Sequence, residues 1–558
     1  MQRRLIECVP NISEGRDRAR IDAIAAVVET VEGVRLLDVD PGRATNRTVI
    51  TFVGEPEPVL EAAFRLMKKA QELIDMRGHK GEHPRFGATD VCPLVPVSGV
   101  SMEECAAYAK QLGERVGKEL GIPVYLYEFA ASEEKRRNLA NNRSGEYEGL
   151  PRKLVDPAWK PDFGPAAFTD AVARSGAVAI GARNFLVAYN VNLNTTSTRR
   201  ANAIAFDIRE AGRKVKQADG TEVQVPGTLK AVKGIGWFIE EYGIAQLSLN
   251  LTDITVTPVH TAFDEACKCA AERGIRVTGS ELVGLIPKQA LLDAADFYLA
   301  RQQRSLGIPE REKIKIAVKS LGLDDLGPFD PRKKVIEYML EDTTTGSAGG
   351  ERLVRMDLKR FSEETASESP APGGGSVAAY AGALGAALGT MVANLSAHKR
   401  GWDERWEEFS RWAVQGERLR NELLFLVDED TRAFDRIMSA MGLPKGSDEE
   451  KAARKAAILE ATKGAIRTPL RTMQVCVESM DLMVAMAAQG LPASISDAGV
   501  GALCARAGAM GAYLNVRINC AGLDDEAFRT EVLGEAEMLR ERAGSIEDRV
   551  MRDILARL

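Results

Sequence analysis

The chain changes character at residues 341–350, EDTTTGSAGG, and that change constrains the fold more than any other feature. Gly, Ser and Thr without apolar anchors make linker chemistry. Before it, strand-like and helix-like patterns alternate. Residues 5–10, 34–39 and 48–53 are rich in β-branched side chains. Residues 56–74 then repeat Val59, Ala63, Leu66, Ala70 and Leu73 at helical spacing. Ser13 is placed to cap a first helix. The same order recurs, with strands at 185–193, 228–238 and 245–251 and helices at 197–212 and 262–272. Each unit opens on a strand carrying Asn, Asn11 in one and Asn190 and Asn192 in the other. The pattern predicts an α/β region of two ferredoxin-like βαββα-type subdomains, residues 1–182 and 183–328. A linker follows at 329–350. Beyond it, 404–441, 449–489, 497–514 and 525–556 have helical patterning, which predicts an all-α helical domain over 351–558.

A chain of 558 residues is too long for one core, and the usual domain size predicts about three or four. The apolar share of 45% and charged share of 28% are those of a soluble globular protein. Net charge is -6, with no clustered basic face, so nucleic acid is excluded as the expected partner. Eight cysteines form no CxxC pair, and the four histidines include none at ligand spacing with a cysteine pair. Both facts point to buried thiols in a reducing, cytoplasmic setting and to no metal. The first residues lack the apolar run of a signal peptide. Residues 376–397 carry no charge over a length that could cross a bilayer. They are mostly Ala and Gly, however, and Ala378, Gly382 and Ala386 recur at helical spacing beside Gly385 and Gly389. Such residues let helices approach closely, so a buried helix is expected rather than a membrane span.

Several side chains could carry chemistry. Leu423, Val427, Asp430, Phe434, Ile437 and Met441 fall at spacings of three and four, an apolar helical stripe with a carboxylate in its middle. A carboxyl group buried this way has its pKa raised, as an acid–base group needs. Pattern alone equally allows a capping or ion-paired Asp. Asp428 lies roughly 200° around the helix and faces elsewhere. His83 sits in Gly81-Glu82-His83-Pro84-Arg85, where Pro84 restricts its backbone to extended conformations. Histidine, whose unperturbed pKa is near neutrality, suits proton transfer, although a surface or capping histidine remains open and His79 is a rival. Lys80 and Arg85 beside it could hold a small anion or line a solvated loop. Gly373, Gly374 and Gly375 open the small-residue helix, exposing backbone N–H groups or merely turning the chain. Asn515 and Asn519, four residues apart, face one way; a ligand site and a structural hydrogen-bonding role weigh equally.

Longer motifs go further. They are ECVPNISEG (7–15), LLDVDPGRATNRTVITFVG (36–54), IDMRGHKGEHPRFGATDVCPLVPV (74–97), IPVYLYE (122–128), WKPDFGP (159–165) and GIGWF (234–238). ELVGLIPKQALLDAADFY (281–298) and LGLDDLGPFDPRKKVIEYML (321–340) close the first part. SPAPGGGSVAAYAGALGAALGTMV (369–392), LVDEDTRAF (426–434), LPKGSDEEKAAR (443–454) and GAYLNVRIN (511–519) follow. In this order they resemble the bifunctional formimidoyltransferase-cyclodeaminase family. The resemblance implies transfer of a formimino group from N-formimino-L-glutamate to N5 of tetrahydrofolate. Ring closure to 5,10-methenyltetrahydrofolate with loss of ammonia then follows. It implies His83 and Asp430 as the catalytic residues of the two steps. It also implies a folate-contacting segment at Gly164, Pro165, Ala166, Ala167, Phe168, Thr169, Asp170, Ala171, Val172 and Ala173. AAFTDAVA there replaces a more Ser-rich stretch, which puts individual side-chain contacts in doubt. A polyglutamylated folate, no metal, and a ring-like homo-octamer are further implications. Formyl transfer between glutamate and tetrahydrofolate, or a folate-binding scaffold with one inactive half, are the alternatives.

Overall fold

The computed structural model describes residues 4–43, 46–80, 85–217, 221–341 and 352–558. Most of the 341–350 linker and His83 therefore lie outside the described residues. The described chain forms mixed sheets with helices in its first part and a mostly helical region after residue 352.

The first sheet grows from β1 (Leu5–Cys8) and β2 (Asn11–Ile12), one strand line interrupted at Val9 and Pro10. Pro10 has no N–H for the ladder, so the interruption follows from the sequence. Around this line lie β3 (Val34–Gly42), β4 (Arg47–Gly54), β5 (Thr89–Ser98), β6 (Val124–Glu128) and β7 (Val178–Ala182). β1 pairs antiparallel with both β4 and β5, and β3 pairs with β4. β7 is added parallel between β5 and β6. One face packs on α1 (Arg18–Ala26) and α2 (Pro56–Leu73), with Ile6, Cys8, Ile50, Phe52, Val59 and Leu66 in the core between them. α1 is capped by Asp17, whose side chain accepts from the Arg20 N–H at 3.2 Å. Ser13, expected to cap it, instead donates its hydroxyl to the Gly87 carbonyl at 2.7 Å, because β2 carries it into the sheet.

The second sheet is fully antiparallel. It contains β8 (Val187–Leu193), β11 (Val232–Ile239), β12 (Ile244–Leu251) and β13 (Val277–Val283) in the order β11-β12-β8-β13. β9 (Arg213–Lys216) and β10 (Glu222–Val225) form a separate exposed hairpin. α3 (Thr198–Ile208), capped by Ser197, packs on β11 and β12, and α4 (Val259–Ala271) follows.

The helical region holds α5 (Gly374–Ala397), α6 (Trp406–Met441), α7 (Asp448–Gln489), α8 (Ile495–Cys520) and α9 (Glu526–Leu555). Ala379, Ala383 and Ala386 of α5 meet Leu419 and Leu423 of α6, Cys476 and Met480 of α7, and Ala505 and Ala509 of α8. Most of α5 is thus buried, while Val377, Leu384, Met391 and Leu395 stay exposed. α7 runs through Pro469. The carbonyl of Ala465, which Pro469 has no N–H to bond, accepts instead from the Asn519 side chain at 3.0 Å. By compactness the chain divides into Met1–Leu291 with Leu321–Thr343, and Leu292–Ser320 with Thr344–Leu558. The segment Leu292–Ser320, expected with the second α/β subdomain, packs with the helical unit. The Leu306 N–H bonds the Ser410 hydroxyl at 3.0 Å, and Asn394 donates to the Gly307 carbonyl at 2.8 Å.

Candidate functional site

In the helical region the chain brings together the residues singled out by pattern. Asp430 points from α6 at the first turn of α5. Ser376 donates its hydroxyl to Asp430 Oδ2 at 3.0 Å. Gly375 makes the approach possible, because a Cβ there would lie 2.1 Å from Asp430 Oδ1. Burial pushes the Asp430 carboxyl above the usual range, and hydrogen bonds from the Ser376 hydroxyl and main chain pull part of the way back. A cavity of about 180 Å³ opens here, lined by Gly373, Gly374, Gly375, Asp430, Thr431, Phe434, Asn515 and Asn519 among others. Asn515 gives its amide hydrogen to the Gly511 carbonyl at 2.8 Å, and Asn519 to Ala465. Both asparagines therefore border the cavity while bonding backbone. Asp428 faces away and accepts from the Val354 N–H at 3.4 Å. The stripe is apolar along its length but covered only in its first half. Leu423 and Val427 are buried, whereas Phe434 and Met441 are exposed.

In the α/β region, His83 falls among residues 81–84, outside the described residues. Its flanks are placed. The Lys80 carbonyl accepts from the Asn46 side chain at 3.0 Å, and the Lys80 side chain is exposed. His79 Nε2 meets the Asn46 carbonyl at 3.0 Å, so Nε2 carries the hydrogen. Burial lowers the His79 pKa, partly offset by that bond and reinforced by Arg85. Arg85 is engaged by Glu146 and Glu148 and donates to the His79 carbonyl at 3.3 Å.

The segment 164–173 lies beside these flanks. Its start is fixed by Asp162, which accepts from the Leu126 N–H at 2.8 Å and from Arg136 at 2.7 Å. Gly164 has φ +82°, and a Cβ there would lie 2.3 Å from the Ile122 carbonyl oxygen. Pro165 and Ala166 are half-buried, while Ala167, Phe168, Thr169, Asp170 and Ala171 are exposed. Thr169 caps the short helix that buries Val172. Arg77 bonds Asp170 at 3.1 Å. Tyr147 links the two segments, its N–H on the Arg85 carbonyl at 2.9 Å and its hydroxyl on the Ala173 carbonyl.

The sequence pattern left Tyr147 and Thr431 unmarked as site members, since single hydroxyls give no periodic signal, and marked Ser376 only as the end of the glycine-rich helix entry Pro372-Gly373-Gly374-Gly375-Ser376. It also missed a polar cluster in which Arg47 and Arg143 share Asp90, and Arg47 bonds Asn11 Oδ1 at 3.0 Å. Asn192, the counterpart of Asn11, accepts from Gln246 at 2.8 Å and donates to Asp325 at 2.9 Å. The Asn residues on the opening strands were the visible trace of both clusters. Among the described residues, no group of three or more His, Cys, Asp and Glu is placed to hold a metal ion.

The helical region thus holds a buried carboxylate against a glycine-opened helix, and the α/β region holds His79 and Arg85 close together on one edge. Models of the formiminotransferase domain match its N-terminal subdomain at residues 5–183 and the following domain at 188–341. A formiminotransferase-cyclodeaminase model matches 357–538. Formimidoyltransferase-cyclodeaminase from Gallus gallus is 46% identical over 97% of each chain. Glutamate formimidoyltransferase from Thermoplasma acidophilum is 45% identical, over 53% of this chain and 92% of its own. Methenyltetrahydrofolate cyclohydrolase from Methylorubrum extorquens is 43% identical, over 36% of this chain and 97% of its own. The chain belongs to the formiminotransferase-cyclodeaminase family.

Proposed function

We propose that the protein transfers the formimino group of N-formimino-L-glutamate to N5 of tetrahydrofolate, then closes the ring to 5,10-methenyltetrahydrofolate with release of ammonia. The observation that carries the reading is Asp430, raised in pKa by burial and held by Ser376 at a cavity. Ring closure starts from the protonated formimino group, C=NH2+; N10 bonds to its carbon, the C=N electron pair moves onto the nitrogen as NH2, and the N10 proton passes to Asp430. The same proton then goes to the leaving nitrogen, the carbon–nitrogen bond breaks, and ammonia departs. A carboxyl group with a raised pKa can do both. In the transferase, His83 takes the N5 proton and supplies one to the departing glutamate nitrogen. Residues 164–173 hold the folate, with Lys80 and Arg85 near the amino-acid carboxylates. The exposed turn from Ala167 to Ala171, tied to Arg77 through Asp170, supports that placement.

The ferredoxin-like reading of the two α/β subdomains is supported by strand order, β5-β1-β4-β3 in one and β13-β8-β12-β11 in the other. Of the expected division at 1–182, 183–328, 329–350 and 351–558, two parts are corrected: Leu292–Ser320 groups with the helices, and residues 331–341, expected as linker, form the helices Pro331–Lys334 and Ile336–Glu341, with Ile336 buried against Leu5 and Val53. The exposed apolar residues of α5 and α8, including Leu384, Leu514 and Ile518, support a homo-oligomer, read as ring-like. A polyglutamylated folate and a cytoplasmic location complete the reading. Mixing the protein with formiminoglutamate and tetrahydrofolate should yield methenyltetrahydrofolate and ammonia. Turnover with N-formylglutamate but not with formiminoglutamate would point to a formyl donor, and no turnover with either would sink the proposal.

A further inference from the structure

Thr431 follows Asp430 on α6 and borders the same cavity. Its hydroxyl oxygen is buried and has no hydrogen-bond partner among the described residues. Threonines within helices can return the hydroxyl to the carbonyl four residues earlier, and others in this bundle do. Thr390 bonds Ala386 at 2.7 Å, Thr462 bonds Ile458 at 2.8 Å, Thr468 bonds Gly464 at 3.1 Å and Thr472 bonds Thr468 at 3.2 Å. Thr431 has the same option in the carbonyl of Val427 and does not take it. A buried hydroxyl left unpaired costs stability, so its orientation calls for another explanation.

The neighbouring polar groups show how unusual this is. Asp430 receives the Ser376 hydroxyl, and Asn515 and Asn519 give amide hydrogens to backbone carbonyls. Thr431 alone among these four brings a side chain with no bond made, and a hydroxyl can both donate and accept. We propose that Thr431 is a substrate-contacting residue of the ring-closing site, its hydroxyl hydrogen-bonding the formimino group. This rests on the reading of the helical region as the cyclodeaminase. In that reaction the formimino nitrogen begins as part of an amidine and leaves as ammonia. Asp430 has to exchange one proton with N10 and then with that nitrogen. A hydroxyl one residue away fixes where the nitrogen sits while the proton moves.

The test compares Thr431→Val, which keeps the shape and removes the hydroxyl, with Thr431→Ser, which keeps it. Each is made in the full chain and supplied with 5-formiminotetrahydrofolate. For Thr431→Val, kcat/KM of ring closure should fall about 10- to 100-fold, the range for a hydrogen bond to a charged group. Thr431→Ser should stay within a few-fold of the parent, and formimino transfer should be unchanged in both. Tm of the ligand-free Thr431→Val protein should equal or exceed that of the parent, because an unpaired hydroxyl has been removed. A merely structural threonine would instead give a lowered Tm with ring closure falling in parallel. A parent protein that cyclises beside a Thr431→Val variant of equal kcat/KM overturns the assignment alone. A parent that does not cyclise overturns the functional reading and the assignment with it.

Discussion

Ser376→Ala removes the side-chain hydrogen bond that the Asp430 carboxylate accepts among the described residues, while leaving its cavity and helix in place. The bond is 3.0 Å long and opposes the effect of burial, which already holds the carboxyl above its usual range. A hydrogen bond to a charged group contributes about 1.5–3 kcal/mol. At ~1.36 kcal/mol per pKa unit this corresponds to about one to two units. The main-chain bond from Ser376 remains and takes up part of the loss, so a rise of about one unit is expected. The sign follows from burial. A carboxyl whose folded pKa lies above ~3.9 binds its proton more tightly in the folded state. Its contribution to stability is present at low pH and lost as pH rises through the folded value. Ser376→Ala should move that loss to higher pH and deepen it. In catalysis Asp430 must be ionised to take the N10 proton, so the acidic limb of kcat/KM should shift upward by about one unit. The assay is the pH profile of ring closure on supplied 5-formiminotetrahydrofolate, with formimino transfer as internal control. A limb belonging to the substrate would not move. A limb that stays put, or moves down, refutes the electrostatic account of Asp430.

Gly375→Ala should abolish ring closure, by about 10²-fold or more, because its Cβ would displace the Asp430 carboxylate by more than the tolerance of catalytic geometry. The variant should remain folded by circular dichroism, the substitution lying in the first turn of a long helix. His83→Ala should lower formimino transfer by about 10²–10⁴-fold while sparing ring closure; a near-native transfer rate would remove His83 from the mechanism. Asn519→Leu leaves the Ala465 carbonyl unpaired and should cost about 1–3 kcal/mol in urea unfolding. No loss would mean the carbonyl finds water instead.

What the sequence showed of the site follows from what periodicity can report. The spacing of Leu423, Val427 and Asp430 placed them on one helix face, and the face is there. Whether anything covers that face depends on chains far away, which is why Phe434 and Met441, equally in phase, are exposed. Asp428 also carried no warning that it is nearly buried, because its neighbour Val354 comes from beyond any local window. Strand pairs with alternating β-branched residues, such as β4, were legible. β7 was not, since Val178-Ala179-Ile180-Gly181-Ala182 reads equally as helix until β5 and β6 flank it. Ser13 had the right chemistry for a cap and the wrong surroundings. The separation of α/β from helical character was visible in composition. The packing of Leu292–Ser320 with the helices was not, because it is decided by contacts such as Leu306 with Ser410.

The uncharged α5 has a consequence for synthesis on the ribosome. It is long and apolar enough to cross a membrane. Its first partner, α6, starts only eight residues after it ends, but α8, whose small residues close its other side, begins roughly 100 residues later. At ~5–20 residues per second, a nascent chain holds that side of α5 uncovered for about 5–20 seconds. The sparse use of Leu, Ile and Phe along α5 weakens its pull toward lipid during that interval. Its alanines and glycines therefore serve the newborn chain as well as the finished bundle.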